Sequence, residues 1–158
     1  MSGRRVGDRL RARAAFAAAI LAIVVTPTAR AQLAKATLMS PTEAKAALFG
    51  VDMQGYEMAL DETGAPSGRG MNWRECVNPK GETLYETPGR TVHGRLRINP
   101  GAQACFAYEE SGFKEWNCFQ AMKTATGFRF TSNFGDVFIT TLVRTGVKSC
   151  KPRSDLIG

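Results

Sequence analysis

Beyond Gly50, turn formers cut this chain before any helical period can establish itself. "NPKG" (78–81), "TPG" (87–89), "NPGA" (99–102) and "EESG" (109–112) follow one another, at intervals of roughly ten residues. The segments between them are rich in β-branched and aromatic residues: "VDMQGYEMAL", "MNWRECV", "ETLYE", "RTVHGRLRI", "QACFAYE", "EWNCFQAMK", "FRFTS" and "VFITTLVRT". No helical period is visible in these segments, and their length suits strands. In "RTVHGRLRI", Val92, Gly94, Leu96 and Ile98 alternate with Thr91, His93, Arg95 and Arg97, the pattern of a half-buried strand. About eight such strands predict an all-β fold, an antiparallel meander that closes into a small barrel. "DETGAPSGRG" (61–70) reads as a loop between two of them.

One helix precedes the strands. In "SPTEAKAALFG", Ser40 is a good N-cap, Pro41 suits the first turn, and Glu43 completes a capping box. Ala44, Ala47 and Leu48 form a small apolar face, and Gly50 can take the left-handed conformation that follows a helix.

The N-terminus reads as an export signal. "MSGRRVGDRLRAR" is basic, Ala14 to Thr26 is an apolar run too short to span a bilayer, and Ala29-Arg30-Ala31 is a cleavage motif. Cleavage after Ala31 predicts a periplasmic or secreted protein with no stable membrane span. Residues 32–39 read as a flexible lead-in, and 40–158 as a single domain. The leader also carries most of the charge. The whole chain has 21 basic and 14 acidic residues; without the leader fifteen and thirteen remain, a net of +2. That balance does not point to nucleic acid as a partner.

Four cysteines remain after the leader, an even number in an oxidising compartment. Cys105 and Cys118 are centred on the turn residues Ser111-Gly112. A hairpin there sets them face to face, close to the reach of a disulfide. Cys76 and Cys150 then pair by elimination, one of the three connectivities four cysteines allow. Metal is not expected: no two cysteines are closer than thirteen positions and His93 is the only histidine. A redox Cys-x-x-Cys is absent, and no cofactor motif appears.

The residues offer little catalytic chemistry. His93 falls on the polar side of its strand, and no nucleophile elbow accompanies it. The carboxylates Glu75, Glu82, Glu86, Glu109, Glu110 and Asp136 are available, but no pairing is legible. Trp73, Tyr85, Phe106, Tyr108, Trp116, Phe119, Phe128 and Phe130 either pack a core or line a small cavity. Among them Trp73, Tyr85, Tyr108 and Trp116 are the candidate ligand contacts.

"TEAKAALFG", "WRECVNPKGETLYE", "GRLRI", "ACFAYE", "NCFQAMK" and "GFRF", in that order, resemble a family of small exported alphaproteobacterial proteins, a domain family of unknown function. The resemblance runs from about Pro41 to Cys150. It implies a calycin-like or related small β-barrel and brings no activity and no site residues. The expected function is therefore binding, of a small apolar ligand or of an envelope component. The alternative is a proteinaceous inhibitor of an envelope enzyme such as a cell-wall hydrolase, with residues 61–70 as its rigid loop. A carboxylate enzyme ranks third, and the protein is not expected to be an enzyme.

Overall fold

The computed structural model of the protein describes residues 36–153, apart from 62, 64 and 65. The expected export signal (1–31) lies outside the described residues. Among the described residues, nine strands and one α-helix follow in order, with a short 3-10 turn at Glu109–Ser111: β1 (Thr37–Leu38), α1 (Pro41–Leu48), β2 (Val51–Leu60), β3 (Pro66–Val77), β4 (Glu82–Thr87), β5 (Arg90–Ile98), β6 (Gln103–Tyr108), β7 (Asn117–Lys123), β8 (Phe128–Ser132) and β9 (Val137–Thr145). Strands β2 to β9 pair antiparallel, each with the next in sequence, and β9 returns to β2. This is the closed eight-stranded meander that the turn spacing predicts.

Two segments differ from expectation. The end of the lead-in is not free: Thr37 and Leu38 pair with Lys123 and Met122 of β7, and Met39 is buried. The apolar Met39 needs cover, and the neighbouring backbone supplies a strand partner. The loop expected over 61–70 is also shorter, because Pro66–Gly70 extend β3. Arg69 pairs with Met58 and Gly68 with Ala59, across two register shifts. Proline and glycine tolerate such a ladder where it is interrupted by bulges. Tertiary pairing thus overrides the local turn composition.

The helix closes one end of the barrel. Ser40 and Glu43 form the capping box, Pro41 begins the helix, and Gly50 takes φ +72° just beyond the last turn. Ala44 and Leu48 are fully buried in one cluster with Val51, Val77, Leu96, Ala104 and Ala121. Phe49 lies against Gly81 in the β3–β4 turn, so the helix covers the end that carries this turn. Val92 and Leu96 face the interior while His93, Arg95 and Arg97 are exposed, as the alternation predicts.

Both disulfides are formed. Cys105 stands opposite Cys118 in the β6–β7 hairpin, and Cys76 of β3 is bonded to Cys150 beyond β9. The second bond lays the C-terminal segment over the outside of β3 and β4. Beneath it Arg74 donates to both carboxylate oxygens of Asp52, at 2.8 and 2.9 Å, to Glu86, and to the Lys151 carbonyl at 3.1 Å. The Arg153 amide donates to the other Glu86 oxygen at 3.0 Å. Burial works against the Arg74 charge, but the bonds to Asp52 and Glu86 outweigh it and hold its pKa above the ordinary value.

Candidate functional site

Alternation along β3 sends Arg74 and Cys76 outward and Trp73, Glu75 and Val77 inward. Across the interior, Met53, Phe106, Phe119, Phe130 and Phe138 join Trp73 in the wall of a cavity of about 280 Å³. Phe138 meets Trp73 and Phe119 edge-on, with centroids 6.1 and 5.5 Å apart. Tyr85, Tyr108 and Glu75 complete one side, and Arg90, Glu110 and Asn117 stand at its rim. The last three are exposed, so the cavity opens to solvent at the end opposite α1.

The polar groups of this wall are unevenly satisfied. The Tyr108 hydroxyl donates to Glu75 Oε2 at 2.9 Å. Glu75 Oε1 and Trp73 Nε1 are buried without a hydrogen-bond partner among the described residues. The Thr83 hydroxyl stands close to the carboxyl without completing a bond of normal geometry. Burial, the largest influence, pushes Glu75 up to about 7; the nearby Thr83 and Tyr108 hydroxyls and the Arg74 charge pull it only partly back. Burial and then the Glu75 charge push Tyr85 up to about 12, and the same two causes lift Tyr108 well above the ordinary phenol range. Both tyrosines are therefore neutral donors near neutral pH, beside a carboxyl that titrates there.

Gly94 makes this arrangement possible. A Cβ at that position would fall 2.5 Å from Thr83 Oγ1 and 2.6 Å from Tyr108 Cδ1. The bare backbone lets the Tyr108 ring lie across β5 and bring its hydroxyl to Glu75. At the rim, Arg90 Nε donates to Glu110 Oε1 at 3.0 Å, and its Nη2 donates to the other oxygen. The pair is half exposed, so its contribution to stability is small.

Of the four candidate contacts, Trp73, Tyr85 and Tyr108 are brought together. Trp116 is not: it lies on the outside of the barrel, where Arg97 stacks over its ring at 3.9 Å. It is the last residue of the β6–β7 connection, and its half-buried ring covers an exposed arginine instead of entering the wall. Phe128 is in the core without lining the cavity. His93 is exposed, and its backbone amide donates to Glu109. Among the described residues no three His, Cys, Asp or Glu side chains gather as a metal site would require.

The special position of Glu75 escapes the sequence reading, which counts it as one of six carboxylates. Its signal is the run Trp73-x-Glu75-x-Val77, which sets an acid on the face of two apolar residues. Gly94, in an otherwise apolar row, is the second signal. Comparison with family models, curated proteins and solved structures found no match.

Proposed function

We propose that this protein is an exported barrel that binds a small, mainly apolar molecule in its open end. The observation that carries the reading is the cavity itself: about 280 Å³, walled mainly by aromatic side chains and open between Arg90, Glu110 and Asn117. Apolar walls with a few convergent polar groups are the usual make-up of a ligand site. The two disulfides support an oxidising compartment. An inhibitor with a packed interior and a projecting loop is less favoured, since one end of the interior holds a cavity and half of the expected loop is strand.

At about 30 Å³ for each water-sized group, the cavity has room for roughly nine heavy atoms. A neutral probe of that size, 2-phenylethanol, is expected to bind with Kd on the order of 1 mM. Titration followed on the Trp73 indole N–H resonance should show saturable shifts. Asn117→Trp, which adds bulk at the rim where the native side chain is exposed, should abolish them without unfolding the barrel. Absence of saturable binding, or binding indifferent to Asn117→Trp, would overturn the reading.

A further inference from the structure

Among the described residues, the acid in the interior has no counter-cation. Glu75 is 4% exposed, receives one hydrogen bond from Tyr108, and keeps Oε1 unpartnered. The nearest arginine in sequence, Arg74, points to the other side of the sheet and is fully engaged by Asp52, Glu86 and the Lys151 carbonyl. Arg90, the only Lys, Arg or His among the described residues that line the cavity, stands at the rim and is held by Glu110. A carboxylate placed so is normally paired, and leaving it unpaired is costly.

We infer that the guest of this cavity is a cationic amine with an apolar body, its ammonium seated against the Glu75 carboxylate. The inference rests on the cavity-binding reading and names its ligand class. An ammonium brings three donors and a full charge to an oxygen that has no partner. The surrounding aromatic residues suit a cation as well, since ring faces attract one by their quadrupole. An anionic guest would meet the carboxylate and is disfavoured. A neutral guest gains only a hydrogen bond there. The rim does not oppose entry of a cation, because Glu110 neutralises Arg90.

The charge balance makes binding visible as proton movement. The groups around Glu75 are Tyr108 from β6, Tyr85 from β4, Arg90 from β5, Glu57 from β2, Arg74 on the far side of β3 and Glu110 at the rim. Both tyrosines stay neutral near pH 7, and Arg74, Arg90 and Glu110 keep their charge, so Glu75 is the group that titrates on binding. With a carboxyl near 7, an arriving ammonium displaces about half a proton at pH 7.

The test compares three probes of one shape on the oxidised protein: 2-phenylethylammonium, 2-phenylethanol and phenylacetate. At pH 8 the ammonium is expected to bind about tenfold tighter than the alcohol, and phenylacetate weaker than either. At pH 5, with Glu75 protonated, the advantage of the ammonium should vanish while the alcohol is unaffected. Calorimetry in buffers of different ionisation enthalpy should register proton release for the ammonium alone. Glu75→Gln should erase the preference and keep alcohol binding. If the alcohol binds and the ammonium binds no better at pH 8, or without proton release, the amine inference is overturned and the cavity reading stands. If none of the three binds the wild-type protein, the cavity reading itself fails.

Discussion

Arg74 and Glu75 are neighbours in the chain and face opposite sides of one wall. Both are almost wholly buried, at 4% exposure each, yet their surroundings are opposite in kind. Outside, Arg74 meets two carboxylates and a backbone carbonyl, and the C-terminal segment seals the group. Inside, Glu75 accepts one hydrogen bond, from Tyr108, with the Thr83 hydroxyl nearby and no cation beside it among the described residues. Burial alone therefore does not tell a charge that ties the fold together from one with capacity to spare. The number of partners does: a complete set fixes the tail to the barrel, and an incomplete one leaves capacity for something that arrives later.

The contrast can be broken in order of effect. Replacing Cys76 and Cys150 together by Ser removes the bond that holds the seal, and should cost roughly 4.5 kcal/mol for a loop of 74 residues in the chain-entropy model. The corresponding loss for Cys105 and Cys118 is about 3 kcal/mol. Urea unfolding of the two double variants would compare them, and an inverted order would mean that the tail is held by something other than its disulfide. Arg74→Met is next: it strands Asp52 and Glu86 as buried charges and should cost about 3–5 kcal/mol. A loss below 1 kcal/mol would show that the outer cluster does not depend on its arginine.

The inner acid acts in the other direction. Its pKa is raised on folding, so the native state holds the proton more tightly than the unfolded chain. Stability should accordingly be greatest below about pH 4.5 for this group and fall as pH rises to about 7, by up to about 3 kcal/mol. Glu75→Gln should remove that slope and make the variant the more stable protein at pH 8. Denaturation curves from pH 4 to 8 would decide it, and parallel profiles for the two proteins would deny the burial of an uncompensated charge. His93→Ala, on the same sheet but in water, should shift the unfolding free energy by no more than about 0.5 kcal/mol. A larger loss would mean that its side chain has a partner the exposed face does not provide.

The barrel was legible because meander folds are written locally. Turn residues, alternation in "RTVHGRLRI" and the mirror placement of Cys105 and Cys118 all act between neighbours in the chain. The departures came where distant pairing decides. Pro66–Gly70 look like loop until β2 recruits them, and Thr37–Leu38 look free until β7 does. The site was legible in part for the same reason. Aromatic strand residues announced Trp73, Tyr85 and Tyr108, but the side to which a residue outside the paired strands turns is not written in its neighbours, and Trp116 lay outside. Glu75 and Arg74 differ by one position and by one face, a distinction that becomes visible only when the strand phase is anchored on Trp73.

The single seam between β2 and β9 also governs how the molecule comes into being. Every other neighbouring pair in the barrel joins strands consecutive in the chain, whereas Val51 must find Thr145. Loop-closure entropy makes such a distant encounter the slow event in assembling a barrel. Cys76 lies beside that seam on one side and Cys150 just past it on the other. A chain oxidised at this pair searches a much shorter effective contour before the last two strands meet. Formation of the Cys76–Cys150 bond before β2 meets β9 would therefore speed closure of the barrel.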